Sequence, residues 1–269
     1  IEQVPPKVEF HETDITDREI FSLFDNIDIV FHLAAKNCIS DCQLDPVETT
    51  RINVGGTVNV FEAAKQAAVK KIVYAESSAV YEGSSFFPTP EEDENPESFY
   101  AVSKMAGKLF ADAYIRFSEL NLIALRYFNV YGPRQDYRRS IPPLMCALIM
   151  KLLKSEQPII YGNGEKRRDF IYVDDVNRFH ELLITNPNIN NNTFNIGFGK
   201  NYSVLEVFKI ISKLLNSQIE PVHKPDLPGE AFQNLADISR AKDIGWEPQV
   251  NLEKGLELSI AYIRKYILN

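Results

Sequence analysis

The sequence predicts an α/β fold with a parallel, doubly wound sheet. Apolar runs of strand length at residues 27–35 (IDIVFHLAA), 70–78 (KKIVYAESS) and 121–130 (NLIALRYFNV) carry that expectation. Such unbroken apolar runs are typical of strands covered on both faces. They alternate with long helical patterns at 46–68 and 98–120. Strand, helix, strand in that order calls for right-handed crossovers and parallel pairing.

In chain order, residues 8–15 read as a strand and 17–24 as a short helix with Asp17 near its start. The run at 27–35 follows, then the helix at 46–68, the strand at 70–78, the helix at 98–120 with Ser98 as N-cap, and the strand at 121–130. The rhythm changes after Tyr131-Gly132-Pro133. A helix at 141–153 precedes short strands at PIIYG and DFIYV, a helix from Asp174, a strand at TFNIG and an amphipathic helix at 204–215. A stretch punctuated by Pro225 and Pro228 leads to a terminal helix at 252–268. This half reads as a smaller α/β lobe, with the boundary near 132–140.

Composition narrows the function. The chain has 269 residues, 45% of them hydrophobic, which excludes a disordered polypeptide. Lys and Arg number 29 against 37 Asp and Glu, a net charge of −8 that disfavours a nucleic-acid partner. No apolar run reaches membrane-spanning length, so no membrane partner is expected, and IEQVPPKVEF has no signal-peptide character. Three cysteines (Cys38, Cys42, Cys146) are too few for a disulfide framework and point to a reducing, cytoplasmic setting. Cys38 and Cys42 read as small apolar residues. The four histidines are scattered, and no metal site is expected.

Three segments carry the chemistry. Tyr100 and Lys104 form a YxxxK motif at the start of a helix, stacking both side chains on one face. An ammonium there is expected to lower the phenol pKa, as a general base acting on a sugar or alcohol hydroxyl requires. Ser77, in AESSAVY, follows the strand at 70–78, where parallel sheets place ligand-binding groups. Its hydroxyl could share a hydrogen bond with Tyr100, or serve only as a turn residue. The third segment, RYFNVYGPR (126–134), ends the next strand.

Together, HLAA (32–35), Asn53-x2-Gly56-Thr57, SSAVY (77–81), YxxxK (100–104), RYFNVYGPR and RDFIYVDD (168–175) resemble the extended short-chain dehydrogenase/reductases, and more narrowly their nucleotide-sugar epimerase/dehydratase group. The resemblance implies a Rossmann-type doubly wound sheet at 1–135 that binds NAD, and a nucleotide-sugar-binding lobe at 136–269 with segments returning to the first domain. Asp14 and Ile15 match the adenine contact; Leu33, Ala34, Ala35 and Lys36 match the turn along the cofactor; Asn53 matches the residue holding that turn. Ser77, Tyr100 and Lys104 match the catalytic set, with Lys104 also on the nicotinamide ribose and Phe128 beside the nicotinamide. Asn129, Tyr161 and Arg168 match sugar or diphosphate, base-stacking and diphosphate positions. Plainer roles stay open: Asp14 as a helix cap, Tyr161 as a strand aromatic, Arg168 in an ion pair with Asp169, Asp174 or Asp175.

Dehydratases of this group place an acid after the catalytic hydroxyl, whereas here Ser78 and Ala79 follow Ser77 and Glu76 precedes it on the other strand face. The expected reaction is therefore epimerisation at C4 of a UDP-hexose. A 4,6-dehydratase or reductase, and a non-catalytic sugar-nucleotide-binding scaffold, are the alternatives. Three departures from the group stand out. Leu227 occupies a position where relatives carry an Arg on the diphosphate. Glu82 replaces a Gly, with Gly83 one place later. No Gly precedes Gly55, so the opening βαβ unit with its phosphate-binding turn is not in the sequence, and weak or no NAD binding is expected of the chain as written. The group also implies a homodimer through the helices at 46–68 and 98–119.

Overall fold

The computed structural model describes residues 4–139, 142–226 and 231–268. Leu227, and with it the expected departure on the diphosphate, lies outside them. The strands are β1 (Ile29–His32), β2 (Lys71–Ser77), β3 (Leu122–Tyr127), β4 (Asn129–Tyr131), β5 (Ile159–Tyr161), β6 (Arg167–Tyr172), β7 (Asn192–Ile196), β8 (Asn201–Ser203) and β9 (Val222–Lys224). The helices are α1 (Ile39–Leu44), α2 (Pro46–Thr50), α3 (Thr57–Gln66), α4 (Phe99–Ser118), α5 (Leu144–Leu153), α6 (Val173–Thr185), α7 (Val204–Leu215), α8 (Ser239–Asp243) and α9 (Leu252–Tyr266).

The main sheet runs β1-β2-β3-β7, parallel throughout. Period-2 alternation divides its apolar residues between two cores. Ile72, Tyr74, Leu122 and Ala124 pack with Phe61 of α3 and Ala111 of α4. Val73, Ile123 and Leu125 pack on the opposite face with Phe179 and Leu183 of α6. This two-sided burial explains the unbroken apolar runs and makes the sheet doubly wound, as expected.

β4, β6 and β8 form a second sheet, and β5 pairs with β9. α5, α7 and α9 enclose the core of this part, through Leu148, Ile149, Val207, Ile211, Leu256 and Ile260. The chain then returns to the main sheet as β7, against β3.

The expected strand at 8–15 does not form. These residues share no ladder with another strand among the described residues, and without a partner the extended backbone earns no strand pairing. The short helix after Asp17 is a 3₁₀ segment, Arg18–Phe24. The helix expected at 46–68 is interrupted: α2 passes into a π turn, Arg51–Gly56, before α3. Such widened turns are frequent at functional positions, and this one carries Asn53.

Candidate active site

β2 ends at Ser77, the N-cap of a 3₁₀ turn, Ser78–Tyr81, with its hydroxyl accepting from Ala79 N–H at 3.2 Å. α4 starts beside it. The Ser98 hydroxyl accepts from Ala101 N–H at 3.1 Å, and Glu82 accepts from both Ser98 N–H (2.8 Å) and Ser98 Oγ (3.0 Å). Glu82 therefore anchors the start of the helix that carries Tyr100. Gly83 lies against Asn95, where an added Cβ would approach Cγ to 2.7 Å. The one-place shift from Gly to Glu-Gly thus has a structural use.

Ser77, Tyr100 and Lys104 come together as expected. Ser77 hydrogen-bonds Tyr100, favouring its ionised form, yet burial outweighs this and pushes the phenol up to about 12. Lys104 Nζ donates to the Ala75 carbonyl at 2.9 Å and stands 6.0 Å from the Tyr100 ring centroid. Burial draws Lys104 down to about 8. The expected lowering of the Tyr100 pKa by Lys104 is thus corrected. The ammonium is spent on a backbone carbonyl, and desolvation decides the phenol.

The turn after β1 reaches the same end of the sheet. Leu33 and Ala34 are exposed there, Leu33 by 52%. Lys36 is held at both backbone groups by Asn53, whose Oδ1 accepts its N–H at 2.7 Å while Nδ2 donates to its carbonyl at 2.9 Å. Nδ2 also donates to Ser103 Oγ at 2.9 Å, and Ser103 Oγ donates to the Tyr100 carbonyl at 2.7 Å. Ser103 was not anticipated, although it lies inside the YxxxK spacing. Asp14 turns back on Thr16 N–H at 2.9 Å and pairs with Arg51 at 3.2 Å, and Ile15 Cδ1 lies 2.6 Å from where a Gly56 Cβ would stand. Both sit against the π turn rather than in a helix.

Phe128 is buried between β3 and β4, its N–H bonded to the Ile196 carbonyl at 3.0 Å and its ring among Val80, Tyr81 and Ala236. Asn129 opens β4 in the second sheet, its side chain donating to the Asp169 carbonyl at 2.9 Å. Arg168, beside Asp169 on β6, donates to the carbonyls of Arg167 (3.0 Å) and Phe232 (3.3 Å). Tyr161 stands apart on β5, in register with Lys224.

Asp169, expected only as a possible ion-pair partner of Arg168, joins these segments. Its carboxylate accepts from Phe198 N–H (2.7 Å), Gly199 N–H (2.9 Å) and Ala236 N–H (3.1 Å). Burial nevertheless raises it to about 6. Its sequence signal was its place in RDFIYVDD. Among the described residues, no His, Cys, Asp or Glu group could hold a metal ion, and no helix is long and apolar enough to cross a membrane.

The chain is similar to proteins of known type over nearly all its length. It is 32% identical over 264 residues to the UDP-glucose 4-epimerase of Mycolicibacterium smegmatis, covering 96% of this chain and 83% of the relative. The structure of the Thermotoga maritima UDP-glucose 4-epimerase with UDP-glucose superposes with a TM-score of 0.94 at 34% identity, covering 98% and 87%. That of the Thermus thermophilus UDP-glucose 4-epimerase with NAD gives 0.92 at 27% identity, covering 99% and 88%. The family described as NAD dependent epimerase/dehydratase matches residues 2–197. With that match over most of the chain, and with the serine, tyrosine and lysine gathered at the strand ends, the protein belongs to the NAD-dependent epimerase/dehydratase family.

Proposed function

We propose that the protein epimerises a nucleotide sugar, a UDP-hexose at C4, through a 4-keto intermediate. The observation that carries this reading is the meeting of Ser77, Tyr100 and Lys104 at the carboxyl end of β2. Tyr100 exchanges the proton of the sugar hydroxyl, Ser77 aligns that hydroxyl, and Lys104, seated on the Ala75 carbonyl, would hold the nicotinamide ribose.

The residues present fit NAD. Leu33 and Ala34 leave an exposed turn of small and apolar side chains, while Asn53 fixes its backbone. Leu33, Ala34, Ala35, Lys36, Asn53, Phe128, Tyr100 and Lys104 would hold the cofactor there, with Asp14 and Ile15 toward its adenine end. When bound, NAD supplies a carrier that takes up and returns hydride. Asn129, Arg168 and Tyr161 would hold the nucleotide sugar, Arg168 by its guanidinium fork on phosphate oxygens. Residues 1–135 would form the cofactor domain and 136–269 the sugar-nucleotide lobe, with α6 and β7 serving the first.

Epimerisation is favoured over elimination by the carboxylates beside Ser77. Glu76 is bound to Arg126 and Glu82 to Ser98, so neither is set to remove water from a ketosugar. A homodimer is proposed through α4, where Phe99, Val102, Leu109, Phe110 and Phe117 form an exposed stripe. A cytoplasmic location accords with the free thiols of Cys38, Cys42 and Cys146.

The test is incubation with UDP-glucose and UDP-N-acetylglucosamine of the protein joined to an opening βαβ unit that carries the phosphate-binding turn, in the presence of NAD. The expected product is the C4 epimer. A stable 4-keto-6-deoxy sugar would overturn the reading in favour of dehydration.

A further inference from the structure

Residues 232–237 form a strap between β6 and the segment at Thr89. On one side the Arg167 N–H donates to the Phe232 carbonyl at 2.9 Å, and the Asn234 N–H to the Arg167 carbonyl at 3.1 Å. On the other, the Thr89 N–H donates to the Leu235 carbonyl at 2.8 Å, and the Asp237 N–H to the Thr89 carbonyl at 3.1 Å. The fully buried Asp169 lies against this strap. Its Oδ2 accepts from the N–H groups of Ala236 and Gly199, and its Oδ1 from that of Phe198. A Cβ at Gly197 would stand 3.0 Å from Asp169 Oδ2 and 2.6 Å from the Ala236 Cβ, so the bare glycine lets these groups close up.

The backbone of Asp169 meets the residues read as ligands of the nucleotide sugar. Asn129 Nδ2 donates to the Asp169 carbonyl at 2.9 Å and to Asn234 Oδ1 at 3.3 Å. That Oδ1 also accepts from the Asp169 N–H at 2.8 Å. Arg168 donates to the strap at the Phe232 carbonyl, 3.3 Å away. We propose that Asp169 is a positioning residue for the nucleotide-sugar site: its carboxylate ties the strap to the segment after β7, and the strap in turn seats Arg168 and Asn129. The proposal rests on the reading of those two residues as sugar-nucleotide ligands.

The tie needs the carboxylate in its ionised form. Both oxygens face N–H donors, so a proton on either one displaces a donor. Burial raises Asp169 to about 6 while the three N–H bonds pull it down, which leaves it ionised at neutral pH and protonated in mild acid. The charged groups on the surrounding elements have other partners. Arg167 is held by Asn201 and Glu206, and Arg168 by carbonyls. Lys200, ahead of β8, lies over the Tyr202 ring, and Asp237 of the strap accepts from the Ser239 N–H. β4 contributes the neutral Asn129, and the segment after β7 its backbone amides.

The experiment is calorimetry of the full chain with UDP-glucose, from neutral pH down through the midpoint of Asp169. Hydrogen-exchange protection of the Phe198, Gly199 and Ala236 amides is followed over the same range. The parent is expected to lose affinity about tenfold one pH unit below that midpoint, where about a tenth of the molecules keep the carboxylate. Asp169→Asn is expected to bind about tenfold or more weakly at neutral pH, with no further fall in acid and with protection lost at the three amides. Binding as tight as the parent's in Asp169→Asn, or an acid-side fall that persists in it, overturns the proposal. If Asp169→Asn does not fold, the parent decides: affinity and the three protections must fall through one midpoint, and separate midpoints overturn the proposal. A parent that binds no UDP-glucose counts against the proposed function. The amides then test the tie by themselves, and unaltered protection in Asp169→Asn overturns it.

Discussion

Asn53 and Ser103, fifty residues apart, join the turn after β1 to the helix that carries Tyr100 through a buried side-chain bond of 2.9 Å. Because Asn53 also occupies both backbone groups of Lys36, the proposed cofactor turn and the phenol-bearing helix are fixed by one carboxamide. Asn53→Ala would leave Ser103 and the Lys36 peptide with unmet bonds in a buried setting. The expected loss is about 1–3 kcal/mol in urea unfolding. A change within about 0.5 kcal/mol would show that neighbouring groups replace the clasp.

Tyr100→Phe keeps the ring and removes the group that exchanges the sugar proton. Turnover of UDP-glucose is expected to fall about 10²–10⁴-fold, while calorimetry shows the sugar nucleotide still bound. Undiminished turnover would remove Tyr100 from the reaction.

His32 gives the fold an acid-side sensitivity. Burial of its ring, bonded to Thr57 at 2.9 Å, draws its pKa down from the ordinary imidazole value of 6.5 to about 4. The unfolded chain binds the proton first as pH falls, so this contribution is complete above pH 6.5 and is lost as pH falls to about 4. The shift corresponds to roughly 3 kcal/mol. The difference in unfolding free energy between parent and His32→Asn should shrink across that window. A difference independent of pH would exclude His32 as the cause.

Gly255 in α9 sets helix propensity against packing. An alanine in a helix interior is favoured over glycine by about 1 kcal/mol. Here a Cβ would stand 2.7 Å from Tyr131 Cζ, whose ring is buried in the core with Phe170 and Tyr172. Overpacking of that kind costs about 1–3 kcal/mol. Gly255→Ala is therefore expected to lower the melting temperature, and a rise would show that the ring yields.

The exposed α4 stripe invites a test of assembly. Phe117 is 81% exposed, and Phe110 shares the stripe. Sedimentation is expected to give a dimer for the parent and a monomer for Phe110→Glu combined with Phe117→Glu. A monomeric parent would refute the interface.

Much of the architecture was legible in local pattern. Residues 204–215 were expected as a helix and form α7 with those bounds, because Ser203 and Glu206 make a capping box ahead of an amphipathic run. β2 was equally plain, since both its faces are apolar over most of its length. The three-residue strands β8 and β9 were missed, being too short for period-2 alternation to show. The expected strand at 8–15 failed for the opposite reason: its composition suits a strand, but strands are made by partners. At the candidate site, YxxxK brought Tyr100 and Lys104 to the same place. Burial, which no spacing reveals, reversed the expected shift of Tyr100. Asp169 was read only as a partner for Arg168, because its three actual hydrogen-bond donors are backbone N–H groups from distant loops.

The position of β7 bears on how the chain is made. It pairs with β3, yet the whole of β4, α5, β5, β6 and α6 is synthesised between them. Until residues 192–196 leave the ribosome, β3 offers an unpaired hydrogen-bonding edge, and the core around Val73 and Leu125 lacks Phe194 and Ile196. A nascent chain halted in that interval therefore holds the residues of its reactive centre on a sheet still open to the wrong strand.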